Sequence, residues 1–220
     1  ASFIARWVAD LKPNKVLEPS CGDGAFFKAM ADVGGFQKAN LTGFELDDEE
    51  AAKAAQRAGS LGFHNATVRS EDFLGWAIEN MADGGERFDA VVGNPPFVRY
   101  QFLPPAFQVR AAAIFDELGL KFTKHTNAWV SFILASMSLL RPGGRLAMVV
   151  PAEIIHVTHA QSLRSYLGKE CRRLVIIDPE ELWFDGTLQG AVILMAEKRS
   201  GPRQKAEGLG MVPVRGREFL

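Results

Sequence analysis

A run of four residues, Asn94-Pro95-Pro96-Phe97, has the groups needed to hold a planar amino group. It directly follows Phe88–Val92, a short apolar stretch that predicts a β-strand. Proline has no backbone N–H, and Pro96 forces Pro95 into an extended conformation, so the loop is stiff. The Asn94 side-chain oxygen and the Pro95 carbonyl then lie side by side, where two acceptors can bind both hydrogens of an NH2 group. Phe97 offers a flat face on which the planar group can stack.

A second candidate site is the glycine-containing turn that follows the predicted strand Lys15–Glu18. The turn, Pro19 to Gly24, leads into a predicted helix. In a doubly wound α/β sheet, such a turn lets the backbone approach a nucleotide-like ligand closely. It is not the dinucleotide-binding fingerprint, because Phe27 occupies the place of the third glycine. By itself, the turn is equally compatible with a simple tight connection.

Acidic residues follow the next two predicted strands. Glu45 lies about 20 residues after the glycine turn, where an acid can accept hydrogen bonds from both hydroxyls of a ribose. Asp47 fits better as the N-cap of the following helix. Asp72, with Phe73 beside it, could accept from an adenine amino group, although an Asp before an apolar run is most often a helix cap. The spacing therefore favours Glu45 as the ribose ligand.

Strand-like and helix-like segments alternate along the chain, which predicts a mostly parallel, doubly wound sheet with helices on both faces. The last two strands have no helical pattern between them, so we expect an antiparallel strand at the sheet edge. Gln101–His125 is long for a connection. The seven predicted strands are Lys15–Glu18, Leu41–Leu46, Ala66–Arg69, Phe88–Val92, Arg145–Val150, Leu174–Asp178 and Gly190–Ala196. The predicted helices are Phe3–Leu11, Ala25–Val33, Glu49–Ala58, Phe73–Met81, Thr126–Leu140 and Ala160–Leu167.

Composition excludes several classes of protein. The chain has 220 residues, 47% of them hydrophobic and 23% charged, which suits one globular domain, or two at most. There is no apolar run of about 18 residues, which a membrane-spanning helix would need, and no signal sequence opens the chain. Two cysteines suit a reducing cytoplasm. Because the net charge is −1, any basic surface for nucleic acid must be local.

The sequence resembles the class I S-adenosylmethionine-dependent DNA methyltransferases that modify adenine at N6. More narrowly, it is similar to the group from restriction-modification systems in which the cofactor motifs precede the catalytic one. The resemblance runs from about Val16 to Lys198, and the NPPF segment is its most specific part. Four further segments follow the family's order: Thr126–Trp129, Leu140–Gly144, Val149–Pro151 and Trp183-Phe184.

The resemblance implies a Rossmann-like fold, S-adenosylmethionine as cofactor, double-stranded DNA as substrate and no metal. It implies that a flipped adenine is held between Phe97 and Phe184. The catalytic residues that it implies are Asn94, Pro95, Pro96 and Phe97. The cofactor-binding residues that it implies are Glu18, Ser20, Cys21, Gly22, Glu45, Leu46, Asp72, Phe73 and Asn94.

Local basic residues fit a DNA substrate. Arg99, Lys121 and Lys124 follow the NPPF segment and could contact phosphates, although such residues are more often simply solvated. We expect a catalytic domain over residues 1–198, with 199–220 as a basic linker or the start of a missing target-recognition domain. The family's Thr-Pro dipeptide ahead of the first helix is also missing here, which would reduce cofactor affinity. A restriction endonuclease is a candidate partner.

Two alternatives stay open at this point. The loop fits any planar NH2, so a methyltransferase acting on RNA bases or on a protein glutamine amide is one of them. The glutamine enzymes usually have Tyr where Phe97 stands. The other is a non-catalytic scaffold of the same fold, against which the intact Glu45 and Asn94 argue.

Overall fold

An eight-stranded sheet forms the centre of the molecule. The computed structural model describes residues 1–82, 84–156, 160–179 and 190–215. The strands are β1 (Lys15–Glu18), β2 (Asn40–Glu45), β3 (Ala66–Ser70), β4 (Phe88–Gly93), β5 (Leu140–Pro151), β6 (Cys171–Pro179), β7 (Ala191–Lys198) and β8 (Gly208–Val214). Their order across the sheet is β3-β2-β1-β4-β5-β7-β6-β8. Only β7 runs antiparallel to its neighbours, β5 and β6, among the described strands.

Helices cover both faces of this sheet. They are α1 (Ser2–Ala9), α2 (Ala25–Val33), α3 (Asp48–Ser60), α4 (Phe73–Met81), α5 (Pro105–Glu117), α6 (Ala128–Leu139) and α7 (Gln161–Glu170). Two short 3-10 helices, Tyr100–Phe102 and Ala152–Ile155, follow β4 and β5. No helix in the described part of the chain has both the length and the apolar character that crossing a bilayer requires.

Alternation along the strands sends successive side chains into two separate cores. Leu17 packs with α4, α5, α6 and α7 on one face, while its neighbour Val16 packs with α1, α2 and α3 on the other. Helix α6 is buried on nearly every side because it lies against the sheet and also contacts α4 and α5. Its central position explains why its sequence is apolar all round rather than on one stripe.

The doubly wound, mostly parallel fold is confirmed, with one correction to the strand count. The sequence predicts seven strands, whereas the sheet has eight. The eighth, β8, pairs in parallel with β6 and is exposed along most of its length, so it lacks the alternating burial that marks an internal strand. It occupies the edge of the sheet beside β6, so the antiparallel β7 lies inside the sheet, between β5 and β6. Residues 208–214 of the predicted linker therefore belong to the sheet, and the division into a catalytic domain and a recognition segment stays a prediction.

Candidate active site

A cleft of about 640 Å3 opens at the carboxyl ends of the central strands. Strands β1 and β4 are neighbours there, and the chain leaves them in opposite directions across the sheet. This is the crevice where open α/β sheets bind ligands. Every residue that the sequence predicts to bind the cofactor lines this cleft: Glu18, Ser20, Cys21, Gly22, Glu45, Leu46, Asp72, Phe73 and Asn94.

The glycine turn after β1 is tied to the end of β2. The backbone N–H of Cys21 donates to the carbonyl of Phe44 at 2.8 Å. Gly24 begins α2 with a φ of +86°, and a Cβ at Gly24 would lie 3.2 Å from the Cα of Ala54 in α3. Only glycine combines this left-handed conformation with so close an approach. The turn therefore brings α2 and α3 together behind the cleft.

Glu45 connects the glycine turn to the start of α3. Its Oε2 accepts from the backbone N–H of Gly22 at 3.0 Å, and its Oε1 accepts from Leu46 and Asp47 at 2.8 and 3.0 Å. The carboxylate is thus held at the cleft wall, and Oε2 keeps one lone pair for a ligand. The prediction that Asp47 is a helix cap is confirmed, because its side chain accepts from two N–H groups at the start of α3.

Glu18 places a carboxyl group in a buried part of the cleft. The residue is 2% exposed, and its Oε2 has no hydrogen-bond partner among the described residues. Burial raises the pKa of Glu18 well above its usual range, and the charges of Asp23 and Glu45 act in the same direction. A donor group from a ligand could satisfy this oxygen. Burial likewise raises the pKa of the Cys21 thiol, which fits a small filler rather than a nucleophile.

Asp72 serves as the cap of α4. Its Oδ1 accepts from the N–H of Gly75 at 2.7 Å, and its Oδ2 lies 3.3 Å from Nη1 of Arg110 in α5. The neighbouring Phe73 is buried against Phe132, with ring centroids 5.4 Å apart. Both residues line the cleft, but the structure gives the Asp72 carboxylate a capping role, and its contact with an adenine stays a prediction.

The NPPF loop meets the glycine turn at the rim of the cleft. The hydroxyl of Ser20 donates to the backbone carbonyl of Asn94 at 3.1 Å, so Ser20 positions the loop as well as lining the cleft. A Cβ at Gly93 would lie 3.4 Å from Pro19, which shows how closely the two loops pack. Asn94 is exposed and lines the cleft, whereas Pro95 is buried.

The predicted stacking residues have different outcomes. Phe97 is 40% exposed, so its ring is accessible to a planar ligand. It does not line the cleft. Phe184 lies outside the described residues. Pro96, between the two acceptors and Phe97, lines the cleft.

Two of the three basic residues predicted to contact DNA line the same cavity. Arg99 and Lys124 line a second cavity of about 340 Å3 beside the NPPF loop, together with His125. Lys121 is absent from that lining, and its backbone carbonyl accepts from the hydroxyl of Ser162 at 3.0 Å. Arg99 and Lys124 are thus the better-placed pair.

Three aromatic residues that line the cleft, Phe26, Phe107 and Phe132, are not among the residues that the sequence predicts for the site. Phe107, in α5, and Phe132, in α6, stack with ring centroids 6.2 Å apart and an interplanar angle of 17°. Phe107 lies in the long connection Gln101–His125, which predicts a functional loop but not which residue reaches the site. Phe132 lies within a helix in which most residues are apolar, so its sequence environment gives no signal.

Comparison with known proteins agrees with this geometry. The chain is 27% identical to the Type II methyltransferase M.AccI of Acinetobacter calcoaceticus, over 89% of this chain and 34% of that protein. It is 32% identical to the Type II methyltransferase M.TthHB8I of Thermus thermophilus, over 85% of this chain and 40% of the relative. The chain therefore spans little more than a third of the length of these relatives.

The fold is also known from solved structures. A protein of Listeria monocytogenes assigned to the class I S-adenosylmethionine-dependent methyltransferases superposes with a TM-score of 0.73 at 19% identity, covering 97% of this chain and 65% of that one. The sheet and its helices thus have the Rossmann-like methyltransferase fold. Residues 35–184 match the family described as Eco57I restriction-modification methylase. Since this match covers more than half of the sequence, the chain belongs to the Eco57I restriction-modification methylase family.

Proposed function

We propose that the protein transfers a methyl group from S-adenosylmethionine to the exocyclic N6 amine of a flipped adenine in double-stranded DNA. In this proposal the transfer is the modification activity of a restriction-modification system. The observation that carries it is the exposed Asn94 side chain at the rim of a cleft whose buried end holds the unpaired Glu18 oxygen. Membership of the family and the names of the relatives support the same reaction.

The residues of the cleft fit S-adenosylmethionine. The cavity has the size of a small-molecule site, and the buried Oε2 of Glu18 can accept from the cofactor's amino group. Glu45 lies where a ribose would be bound, and Leu46, which is 72% exposed, offers an apolar face at the rim. When bound, the cofactor would supply an electrophilic methyl group on a sulfonium centre.

The contribution of the NPPF loop is to make the amine a better nucleophile. The lone pair of an adenine amine is delocalised into the ring, so the free base reacts slowly. If the Asn94 side-chain oxygen and the Pro95 carbonyl accept the two N–H bonds, the nitrogen is drawn toward tetrahedral geometry. The same two acceptors stabilise the positive charge that develops on that nitrogen.

The surroundings of the loop suit a base that has left the duplex. The exposed ring of Phe97 can replace part of the lost base stacking. Phe184 is proposed as the second aromatic wall. Arg99 and Lys124, which share the neighbouring cavity, are proposed to bind phosphates of the target strand.

Replacing Asn94 with alanine tests this proposal. Asn94→Ala removes one acceptor, so we expect turnover with duplex DNA to fall by at least about 100-fold, comparable to the loss of one transition-state hydrogen bond. Cofactor binding, measured by calorimetry, should be retained and fall far less than turnover, because Asn94 is one of nine residues proposed to contact the cofactor. Asn65→Ala, at an exposed asparagine, is the matched control and should remain fully active. Methylation by Asn94→Ala at the wild-type rate would overturn the assignment.

The substrate is tested by offering duplex DNA, RNA and protein side by side with labelled cofactor. The NPPF loop fits any planar NH2, so this comparison separates the proposal from an RNA or glutamine methyltransferase. We expect label in duplex DNA alone. Association with a restriction endonuclease and a cytoplasmic location are part of the same proposal.

A further inference from the structure

We propose that Glu153 is a positioning residue for methyl transfer, acting through Asn127 on the segment that follows the NPPF loop. This inference rests on the proposed function. Glu153 lies in the 3-10 helix Ala152–Ile155, directly after β5, and Asn127 immediately precedes α6. Neither residue belongs to the lining of the cofactor cleft.

Glu153 accepts two hydrogen bonds from the start of α6. Its Oε1 lies 2.8 Å from Nδ2 of Asn127 and 3.0 Å from Nε1 of Trp129. Trp129 is completely buried, so its indole N–H is a fixed donor that holds the carboxylate in place. The carboxylate is therefore a fixed hydrogen-bond acceptor for the Asn127 amide.

Asn127 connects this carboxylate to the segment that follows the NPPF loop. It occupies the N-cap position of α6, where asparagine normally accepts from an N–H of the first turn. Its side chain makes no such capping bond, and its Oδ1 instead accepts from the backbone N–H of Tyr100 at 3.3 Å. Next to this contact, the N–H of Ala128 donates to the carbonyl of Val98 at 3.0 Å.

The orientation of the Asn127 amide decides how firmly Tyr100 is held. An amide group has a donor end and an acceptor end. Because Glu153 is an acceptor, it attracts Nδ2, and this turns Oδ1 toward the N–H of Tyr100. Without an acceptor at position 153, the amide loses a contact that sets this orientation, so Oδ1 is held less firmly toward the N–H of Tyr100.

These contacts fix the NPPF loop at its far end. At its near end, the hydroxyl of Ser20 already holds the carbonyl of Asn94. Between the two anchors lie two prolines and Phe97, so fixing both ends fixes the position of the acceptors. Tyr100, Asn127 and Glu153 also line the cavity that contains Arg99, so the same network orders the proposed phosphate contact.

The test compares Glu153→Ala with Glu153→Gln in the full-length protein. Glutamine keeps an acceptor oxygen for Asn127 and Trp129, whereas alanine removes it. For Glu153→Ala we expect kcat to fall about 10- to 100-fold, as small misplacements of reacting groups do, with unchanged cofactor affinity. Hydrogen exchange at the amide of Tyr100 should become faster. Glu153→Gln should restore both, and Glu117→Ala, at an exposed glutamate of α5, should behave as the wild type.

A second variant guards against loss of folding. Asn127→Ala leaves the contact between Trp129 and Glu153 intact but releases Tyr100, so it should show the same faster exchange and the same loss of kcat. The inference would be overturned if Glu153→Ala kept the wild-type values of kcat and of hydrogen exchange at Tyr100. If Glu153→Ala does not fold, the same result in Asn127→Ala would overturn it. If the wild type transfers no methyl group to DNA, the proposed function fails, while the exchange comparison still decides whether Glu153 positions the loop.

Discussion

At the scale of single residues, Glu18 carries a desolvation cost that a ligand with a donor group can offset. A buried carboxylate without a hydrogen-bond partner loses hydration and gains nothing in return. The pKa of Glu18 is therefore raised, mainly by burial and further by the charges of Asp23 and Glu45. A cationic group in the cleft would reverse this penalty, so the residue favours ligand binding at the expense of the free protein's stability.

Glu18→Gln should stabilise the free protein, and increasingly so as the pH rises. Because the pKa of Glu18 is higher in the folded protein, its contribution to stability is complete only below the ordinary carboxyl pKa and is lost as the pH rises through the folded value. Glutamine has the same shape and does not ionise. Melting curves between about pH 4 and pH 8 should show that the melting temperature of Glu18→Gln exceeds that of the wild type by an amount that grows with pH. Each kcal/mol of added stability corresponds to about 2–4 °C.

The same variant should bind the cofactor more weakly, which calorimetry can measure. Glu117→Gln, at an exposed site on α5, is the control and should change neither property. A melting temperature gap that stays constant with pH would show that ionisation of Glu18 does not strain the folded state.

At the scale of elements, β2 and the glycine turn touch at Gly43. A Cβ at this position would lie 2.9 Å from the ring of Phe27 and 3.1 Å from the sulfur of Cys21. Gly43→Ala must therefore displace the turn or α2. We expect a loss of about 1–3 kcal/mol in the free energy of unfolding, the usual effect of overpacking.

Urea denaturation measures this loss, and Gly59→Ala provides the comparison. Gly59 lies in α3, and apart from its chain neighbours and the adjoining helix backbone no atom of the described residues lies within 4 Å of the position of an alanine methyl group. Alanine at this position should therefore raise the free energy of unfolding by up to about 1 kcal/mol. Equal effects of the two substitutions would contradict the close approach at Gly43.

Lys198 caps the C-terminal end of α6, at the ends of the strands that lie opposite the cleft. Its ammonium group donates to the carbonyls of Met137 and Leu140, both at 2.9 Å. Lys198→Met leaves these carbonyls without their charged donor, which should destabilise the protein by about 1.5–3 kcal/mol. Thermal melting checks this, with the exposed Lys205→Met as a control that should have little effect. An unchanged melting temperature for Lys198→Met would show that the cap is dispensable.

At the scale of the whole molecule, local patterns predict most of the fold and the groups that line the cleft. Parallel strands carry their loops to one edge, so residues far apart in sequence, such as Glu18, Glu45 and Asn94, meet there. The type of each residue and its place after a strand are both visible in the sequence, which is why this part can be predicted.

Features that depend on long-range packing could not be predicted in this way. β8 is exposed along most of its length, so its sequence lacks the alternation of apolar and polar residues that predicts a strand. Its pairing with β6 makes it a strand. Glu153 meets Asn127 because β5 returns the chain to the edge where α6 begins, a meeting that no local motif encodes. Phe107 lines the cleft because of the way α5 packs in the fold, which the local sequence also does not encode.

The identity of the modified base tests the central claim most directly. DNA incubated with the full-length protein and with S-adenosylmethionine carrying a deuterated methyl group is digested to nucleosides and analysed by mass spectrometry. We predict deuterated N6-methyladenine, at a level that falls by at least about 100-fold in Asn94→Ala. Label on cytosine, or no label in DNA from a protein that binds the cofactor, would contradict the proposed reaction.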